Sequence, residues 1–321
     1  MKRRSVSITG ATGFLGFHLA ESFRDAGWRV SAVVRPGTAK PLPEGVERVQ
    51  APLAGERLAA AFEGSDVVVH SAALVRAPRE AAFDEVNVEG TRSVVRAVND
   101  VGASLIHISS LAVSGSGTAD RPSREDDLPR PLTAYGRSKL RAELIVRSDA
   151  RTSWTILRPC AVYGPRDRGF LPLFRLAKRG LFFLTSSPST PLTLLYAADL
   201  ARAIVLAASQ PLASGQTLFV GHPSLQTTGD VLAALAAACG RTYRPRRVPL
   251  VLLEALARMG ELSWMLGARP LIDKGRLIEL QAPGFVCSVD RIRDALGFTA
   301  SVPLREGFER TATWYREQGW M

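Results

Sequence analysis

The sequence predicts an α/β fold built on a doubly wound parallel sheet, and two observations support this class. Near the N-terminus, a glycine-rich turn joins an apolar run at Val6 and Ile8 to a helical pattern that begins at Phe14. Through the first half of the chain, short apolar runs alternate with helical patterns, which is the order of β-α-β units. The chain has 321 residues, enough for one large domain or for a large and a small one.

The first turn contains Gly10, Gly13 and Gly16 in the spacing G-x-x-G-x-x-G. Between a strand and a helix, such a turn lets backbone N–H groups approach a pyrophosphate at the helix N-terminus, where the helix dipole favours an anion. An ordinary tight turn would also use glycines, but here the position, the strand and the helix all agree. The turn therefore predicts a dinucleotide-binding site.

Apolar runs predict the remaining strands, and amphipathic patterns predict helices between them. Strands are predicted at residues 30–34, 46–50, 66–70 and 104–108, and a sixth strand includes residues 155–157. Helices are predicted at residues 58–62, 83–99 and 135–147. Ligands of such sheets bind beyond the carboxyl ends of the strands. The residues at those ends are Gly10, Arg35 and residues 70–73, 109–110 and 158–159.

Composition narrows the class of protein. The net charge is +11, but no basic run is longer than the one at residues 2–4, so an arginine-rich solvated surface is favoured over a nucleic-acid site. The apolar stretch at residues 250–266 is interrupted by Glu254, Arg258 and Glu261, which indicates an amphipathic helix and no integral membrane segment. The three cysteines have no metal-binding spacing, which predicts no metal site and a cytoplasmic protein with reduced thiols.

A candidate catalytic group consists of Ser110, Tyr135 and Lys139. Tyr135 and Lys139 are four residues apart, so a helix places both on one face. A phenol with a pKa of about 10 is a poor acid–base at neutral pH unless its anion is stabilised, and a cation one turn away provides that. Lys139 could also hold a ribose hydroxyl. Ser110 follows the fifth predicted strand, where its hydroxyl could share a substrate carbonyl with Tyr135, although a serine there could also be a simple turn residue.

These motifs together resemble the extended short-chain dehydrogenase/reductases. This family includes nucleotide-sugar epimerases, 3β-hydroxysteroid dehydrogenases and dihydroflavonol reductases. The resemblance extends from the first strand to residues 296–298. The matching segments are residues 9–16, 66–73, 87–91, 109–110, 135–139 and 157–165.

The resemblance implies a Rossmann-type domain over residues 1–165, to which segments around 192–210 return, and a smaller C-terminal α/β substrate domain over residues 166–321. It implies that Ser110 polarises a carbonyl, Tyr135 donates a proton and Lys139 lowers the pKa of the tyrosine. A homodimer through the helices at 83–99 and 135–147 is a further expectation of the family. The implied cofactor-binding residues are Gly10, Thr12, Gly13, Phe14, Leu15, Gly16, Arg35, His70, Ala72, Ala73, Asn87, Tyr135, Lys139, Pro159 and Val162.

The residue after the second strand bears on the cofactor. Rossmann enzymes specific for NAD place an acidic residue there, whereas an arginine accommodates the 2′-phosphate of NADP. Here the strand ends in Arg35, with no carboxylate before Glu44, and Lys40 could assist. The prediction is NADP, with NAD possible. This chain departs from the family at two places. The family often has an acidic residue after the third strand that contacts the adenine, but residues 51–53 here contain none. After the catalytic serine, Ser114 replaces the usual tyrosine.

The second half is predicted to form the substrate side. The apolar run at 170–184 could equally be core or pocket lining, and residues 248–266 could cover the cleft. A strand is predicted at 192–195, Asp199 is predicted to cap a helix from Leu200, and a helix at 231–239 is predicted to stop at Gly240.

The substrate prediction comes from a replacement. In related epimerases, the predicted strand starts with an arginine that binds a diphosphate and is followed by an aspartate, but this chain has Leu192 in place of the arginine and Thr193 in place of the aspartate. The favoured function is therefore reduction of a largely apolar ketone (steroid-like, polyketide-like, aromatic or long-chain), or the reverse oxidation of its alcohol. The alternative is a nucleotide-sugar epimerase or dehydratase, with charge supplied by Arg166, Arg168, Arg175 or Arg179. A dinucleotide-binding protein without turnover is a second alternative, which the intact catalytic group disfavours.

Overall fold

The computed structural model describes residues 3–210, 214–265, 267 and 270–321. The strands in this part of the chain are β1 (Ser5–Thr9), β2 (Arg29–Val34), β3 (Glu47–Gln50), β4 (Val67–His70), β5 (Ser104–Ile108), β6 (Trp154–Pro159), β7 (Ala161–Tyr163), β8 (Phe182–Leu184), β9 (Pro191–Leu192), β10 (Leu194–Tyr196), β11 (Gln216–Val220), β12 (Gln226–Thr227) and β13 (Pro245–Arg247). The α-helices are α1 (Phe14–Asp25), α2 (Arg57–Phe62), α3 (Glu80–Phe83), α4 (Gly90–Val101), α5 (Ala134–Asp149), α6 (Leu171–Lys178), α7 (Ala197–Ser209), α8 (Thr228–Ala238), α9 (Leu250–Met265), α10 (Lys274–Gln281), α11 (Asp290–Leu296) and α12 (Leu304–Glu317).

A seven-stranded parallel sheet forms the centre of the molecule, in the order β11-β6-β5-β4-β1-β2-β3. All six strands predicted in the first half of the chain belong to this sheet. In the register, Ile8 of β1 lies between Ala32 of β2 and Val69 of β4, and all three side chains are buried. A parallel strand that is covered on both faces needs such apolar runs. The predicted Rossmann-type α/β fold is therefore confirmed.

Helices cover both faces of the sheet. On one face, α1, α7 and α11 pack over the strands and bury a cluster that runs from Val6 to Ala300, which we call cluster A. On the other face, α2, α4 and α5 bury cluster B, whose members lie between Val33 and Ile156. The sheet is doubly wound as predicted, and α7, β11 and α11 bring later parts of the chain back to it.

A third cluster, cluster C, lies in the second half of the chain, where α6, α8 and α12 pack together. Phe174 and Phe308 are in edge-on contact there, and the hydroxyl of Tyr315 donates to the carbonyl oxygen of Asp167 at 2.5 Å. The apolar run at 170–184 contributes Leu171, Phe174, Ala177, Phe182 and Leu184 to this cluster. Most of that run is therefore core and not the lining of a pocket.

The helix predicted at 83–99 begins earlier and is less regular than expected. It starts with α3 at Glu80, passes through a π-helical stretch at Asp84–Glu89 and continues as α4 to Val101. The π-helical stretch buries Asn87 and Val88. Such single-turn insertions often occur at functional sites.

Two predictions for the second half were wrong. The strand predicted at 192–195 is divided at Thr193, because β9 pairs with β12 whereas β10 pairs with β7. The predicted helix cap at Asp199 lies inside α7, which begins at Ala197. The carboxylate of Asp199 instead accepts the backbone N–H groups of Ser301 and Val302 at 3.0 and 2.9 Å, and so ties α7 to a segment near the C-terminus.

The helix predicted at 231–239 is α8, which starts three residues earlier in a capping box formed by Thr227 and Asp230. Gly240 follows its C-cap with a positive φ of 62°, as the stop signal predicts. The amphipathic segment predicted at 248–266 contains α9, and Leu266 lies outside the described residues. Within the described chain, every helix is too short or too polar to cross a bilayer.

Candidate active site

The glycine turn packs tightly between α1 and the loop that follows β4. Gly10 has a φ of 75°, and a Cβ there would lie 2.7 Å from the backbone nitrogen of Ala72. A Cβ on Gly16 would overlap the carbonyl oxygen of Gly10, to which the N–H of Gly13 donates at 2.9 Å. Gly13 is the N-cap of α1 and supplies no side-chain cap. The open helix N-terminus and the cradle without Cβ atoms fit the pyrophosphate of a dinucleotide.

A buried chain of hydrogen bonds supports this turn from below. The N–H of Ala72 donates to Oγ1 of Thr9 at 3.3 Å, and Thr9 lies 2.8 Å from Nδ1 of His70. Nε2 of His70 lies 3.1 Å from Oγ1 of Thr91, which donates to the carbonyl oxygen of Asn87. Because the Thr91 proton is used in that way, we assign the His70 proton to Nε2. Burial lowers the pKa of His70 to about 3, so the ring is neutral.

Asn87 connects the loop after β4 to the helix that carries the catalytic candidates. Its Oδ1 accepts the N–H of Leu74 at 2.8 Å, and its Nδ2 donates to the carbonyl oxygen of Leu74 and to Oγ of Ser138. Ser138 in turn donates to the carbonyl oxygen of Tyr135 at 2.8 Å. His70 and Asn87, both predicted at the cofactor site, are thus buried and hydrogen-bonded within the protein, where they hold its loops.

Ser110 and Tyr135 lie together at the carboxyl end of the sheet. Ser110 follows β5 and caps the 3₁₀ turn Leu111–Val113, where its Oγ accepts the N–H of Ala112 at 3.1 Å. The phenol of Tyr135 is hydrogen-bonded to the Ser110 side chain. Burial raises the pKa of Tyr135 to about 12, against the lowering effect of Ser110. A Cβ on Gly136 would meet the carbonyl oxygen of Ala112, so this glycine permits the close approach.

Lys139 lies one turn after Tyr135 on α5 and is buried. Burial lowers the pKa of Lys139 to about 8, and the carboxylate of Glu143 opposes that shift. Nζ of Lys139 is 3.5 Å from Nε2 of His107. Burial, followed by the charge of Lys139, holds the pKa of His107 well below its ordinary value. The ammonium group of Lys139 therefore lies beside the neutral imidazole of His107.

A buried ion pair lies behind Lys139. The carboxylate of Glu143, four residues further along α5, accepts hydrogen bonds from Nε and Nη2 of Arg158 at 2.8 and 2.7 Å. Its Oε1 also accepts Oγ of Ser109 at 2.5 Å. The arginine comes from β6 and the serine directly follows β5, so this pair joins α5 to two strands. Arg158, at the carboxyl end of its strand, is thus engaged inside the protein.

The remaining predicted cofactor residues occupy the same end of the sheet. Arg35 is exposed directly after β2, and the described residues include no ion-pair partner for it. Thr12, Phe14 and Leu15 are half-buried around the start of α1, Ala72 is half-buried, and Ala73 is exposed. Pro159 is buried at the end of β6, and Val162 is half-buried in β7. The structure thus places the predicted residues at the carboxyl end of the sheet. Their contacts with a cofactor remain predictions.

Sequence reasoning missed four contributors to the site: Gly136, Ser138, His107 and Glu143. The spacing held one usable signal, because Glu143 continues the four-residue period of Tyr135 and Lys139 on α5. The other three depend on contacts between segments that are distant in the chain. In the part of the chain that the structure describes, no group of His, Cys, Asp or Glu side chains could hold a metal ion.

The Rossmann-type sheet, the glycine cradle and the Ser-Tyr-Lys group together define an NAD(P)-dependent enzyme of the extended short-chain dehydrogenase/reductase type. The chain belongs to the NAD dependent epimerase/dehydratase family, whose model matches residues 6–221. The resemblance inferred from the motifs is therefore confirmed.

Named relatives cover nearly the whole chain. The ceramide reductase of Caulobacter vibrioides is 31% identical over 99% of this chain and 96% of that protein. A 4-hydroxy-2-methyl-3-oxo-4-farnesyl-3,4-dihydroquinoline-1-oxide ketoreductase of Stigmatella aurantiaca is 28% identical over 94% of both chains. The solved structure of MoeE5 in complex with UDP-glucuronic acid and NAD is 27% identical, with a TM-score of 0.77 over 98% of this chain and 99% of that one. The two reductases support an NAD(P)-dependent reductase.

Proposed function

We propose that this protein reduces a ketone on a largely apolar substrate to a secondary alcohol, with NADPH as the cofactor. The observation that carries the proposal is the position of the Ser110, Tyr135 and Lys139 side chains on adjoining elements, together with Leu192 and Thr193 at the site where related epimerases bind a diphosphate. The names of two relatives, a ceramide reductase and a farnesylated quinoline ketoreductase, support the same class of substrate.

In the proposed mechanism, the hydroxyls of Ser110 and Tyr135 bind the substrate carbonyl oxygen. A nicotinamide cofactor, when bound, supplies the hydride that reduces the carbonyl carbon. Tyr135 donates its proton to the oxygen as the C–O double bond becomes a single bond, which completes the alcohol. Lys139, with a pKa of about 8, is mostly charged at neutral pH and stabilises the phenolate that remains.

The preference for an apolar substrate is supported by the surroundings of Leu192. Its neighbour Thr193 is buried and accepts the backbone N–H of Cys287, so neither residue offers a charge to a diphosphate. A buried diphosphate without a partner would be very costly.

The arginines that could replace the missing charge are mostly engaged elsewhere. The guanidinium of Arg166 lies 3.6 Å from the ring centroid of Phe17, and that of Arg168 lies 4.9 Å from that of Trp320. Nε of Arg175 donates to the carbonyl oxygen of Trp320 at 2.9 Å. Arg179 is left as an exposed side chain at the end of α6. These contacts favour the ketone reductase over the nucleotide-sugar epimerase.

The NADP preference is supported by Arg35. A guanidinium pairs with phosphate oxygens in a bidentate fork and can stack on adenine. Titration of NADPH and NADH tests this, with Arg29→Ala at the opposite end of β2 as the matched control. We expect Arg35→Ala to weaken NADPH binding about tenfold or more and to weaken NADH binding much less, because NADH lacks the 2′-phosphate. If the wild type bound NADH more tightly than NADPH, and Arg35→Ala did not alter the binding of NADH, the preference for NADP would be contradicted.

The reaction is tested with the cofactor-loaded protein against two panels of ligands. Long-chain, steroid and aromatic ketones form one panel, and UDP- and dTDP-sugars form the other. We expect a thermal shift and NADPH oxidation with members of the ketone panel. Tyr135→Phe should keep cofactor binding and lose turnover by several orders of magnitude, because the proton donor is removed while the ring remains. Micromolar binding of a nucleotide sugar with no response to any ketone would favour the epimerase instead.

A further inference from the structure

Helix α9 is fixed to the protein along one narrow seam. Leu253, Ala257 and Gly260 are buried on that seam, at the spacing of one helical face. A Cβ on Gly260 would overlap the carbonyl oxygen of Ile272, so the helix lies directly against the segment that leads into α10. The orientation of α9 is therefore set by its small and apolar residues.

The face of α9 away from the seam is apolar and exposed. Val251, Met259 and Leu262 are 77%, 64% and 63% exposed, and Leu252 and Leu256 are exposed beside them. A surface helix usually turns charged residues to this side. Contiguous exposed apolar surface usually marks a site of interaction with a protein or a membrane. We call these five side chains the α9 face.

The polar residues of α9 form only a stripe along one flank. Glu254, Arg258 and Glu261 recur there at intervals of four and three residues, between the seam and the α9 face. The result is a helix with three sides: a buried seam, a charged stripe and a broad apolar face.

The surroundings of the α9 face are basic. Arg244, Arg246 and Arg247 come just before the helix, and the whole of β13 is exposed. Residues 241–282 contain eight Lys and Arg but four Asp and Glu. Two of those four carboxylates, Asp273 and Glu279, are paired with Arg76 and Arg276. An apolar face with a basic margin is complementary to a negatively charged lipid surface.

Helix α9 is connected to the catalytic end of the sheet through α10. Helix α10, which packs against α9, carries Glu279, whose charge raises the pKa of Tyr135 together with the larger effect of burial. Asp273, the N-cap of α10, pairs with Arg76 in the loop after β4 at 2.7 Å. Helix α9 is therefore linked through α10 to the surroundings of Tyr135.

We propose that the α9 face docks this protein on the surface of an anionic lipid bilayer, with its apolar side chains at the headgroup boundary and its arginines on the lipid phosphates. A second copy of this chain fits less well, because it would bring two basic margins together. Docking itself is independent of the reaction. Only its use, the entry of a lipid-like ketone directly from the bilayer, rests on the proposed function.

Vesicle co-sedimentation of the full chain, without cofactor or substrate, tests the docking. The probes are vesicles of phosphatidylcholine alone and of phosphatidylcholine mixed with phosphatidylglycerol. We expect binding to the mixed vesicles that weakens in 1 M salt, where the screening length falls to about 3 Å. Val251→Asp/Met259→Asp should weaken this binding about tenfold or more. Arg244→Ala/Arg246→Ala should weaken it about thirtyfold at low salt.

Leu128→Asp is the matched control, since Leu128 is 78% exposed in a loop outside α9, and it should bind like the wild type. Absence of sedimentation with the mixed vesicles would overturn the proposal, and so would equal losses in the control and the α9 variants. Sedimentation velocity without lipid provides a third check. A wild-type dimer that Val251→Asp/Met259→Asp dissociates would assign the face to a second copy and overturn lipid docking. NADPH oxidation with a detergent-dispersed ketone tests the reaction separately, so either idea can fail alone.

Discussion

The ion pair between Glu143 and Arg158 allows a sharp test of how the site is supported. Both side chains are almost completely buried, and the carboxylate accepts two hydrogen bonds from the arginine and one from Ser109. Nη1 of Arg158 is already buried without a hydrogen-bond partner among the described residues. The substitution Glu143→Gln keeps the shape of the side chain and removes its charge, so the guanidinium is left buried and uncompensated.

Removing one partner of a buried pair costs about 3–5 kcal/mol, because the remaining charge keeps its desolvation penalty. A protein of ordinary stability has a free energy of unfolding of about 5–15 kcal/mol, so the loss is a large fraction of the total. The substitution should also lower the pKa of Lys139 further, since Glu143 is the group that opposes the effect of burial there. Turnover should then decline at a lower pH than in the wild type.

Urea denaturation at neutral pH measures the first effect, and the pH profile of turnover measures the second. Arg137→Gln is the matched control, because Arg137 makes the same two-bond contact with Glu80, but on the surface. It should cost less than about 1 kcal/mol. Equal, small losses in Glu143→Gln and Arg137→Gln would refute the argument, since they would show that the buried charge is solvated after all.

Three further predictions concern the same framework. Burial lowers the pKa of Lys139 from 10.5 to about 8, so this residue stabilises the folded state increasingly from pH 8 to pH 10.5 as the folded state loses the proton first, and the difference in free energy of unfolding between the wild type and Lys139→Met should grow over that range in urea titrations. Gly16→Ala should reduce cofactor affinity in calorimetry about tenfold or more, because its Cβ would overlap the carbonyl oxygen of Gly10. Asp199→Asn should lower the free energy of unfolding by about 2 kcal/mol in urea, and a loss confined to cofactor binding would contradict its structural role.

The first half of the fold could be predicted because its signals are local. Each strand of a covered parallel sheet must be apolar over several residues, and each intervening helix carries its own periodicity, so both are visible in short windows. The spacing of Tyr135 and Lys139 is equally local. The signal of the glycine turn is local as well, because it lies within residues 6–16.

The errors arose where a side chain acts on distant segments. Thr193 interrupts an apolar run because its N–H donates to the carbonyl of Phe285 and its Oγ1 accepts from Cys287, contacts that no local window contains. Asp199 has the residue type and position of a helix cap, yet its partners lie about a hundred residues later. The partner of Glu143 could not be predicted either, because it requires knowing that α5 packs over β6.

The order in which the chain visits the three clusters has a consequence for biosynthesis. Cluster B is complete once residue 156 has emerged, so one face of the sheet can acquire its cover while the second half is still being made. Cluster A needs α11 and residues up to Ala300, and cluster C needs Tyr315 from the last helix. Until α12 leaves the ribosome, this helix cannot pack against the other aromatic residues of cluster C. The nascent chain therefore exposes those residues to chaperones or to neighbouring chains.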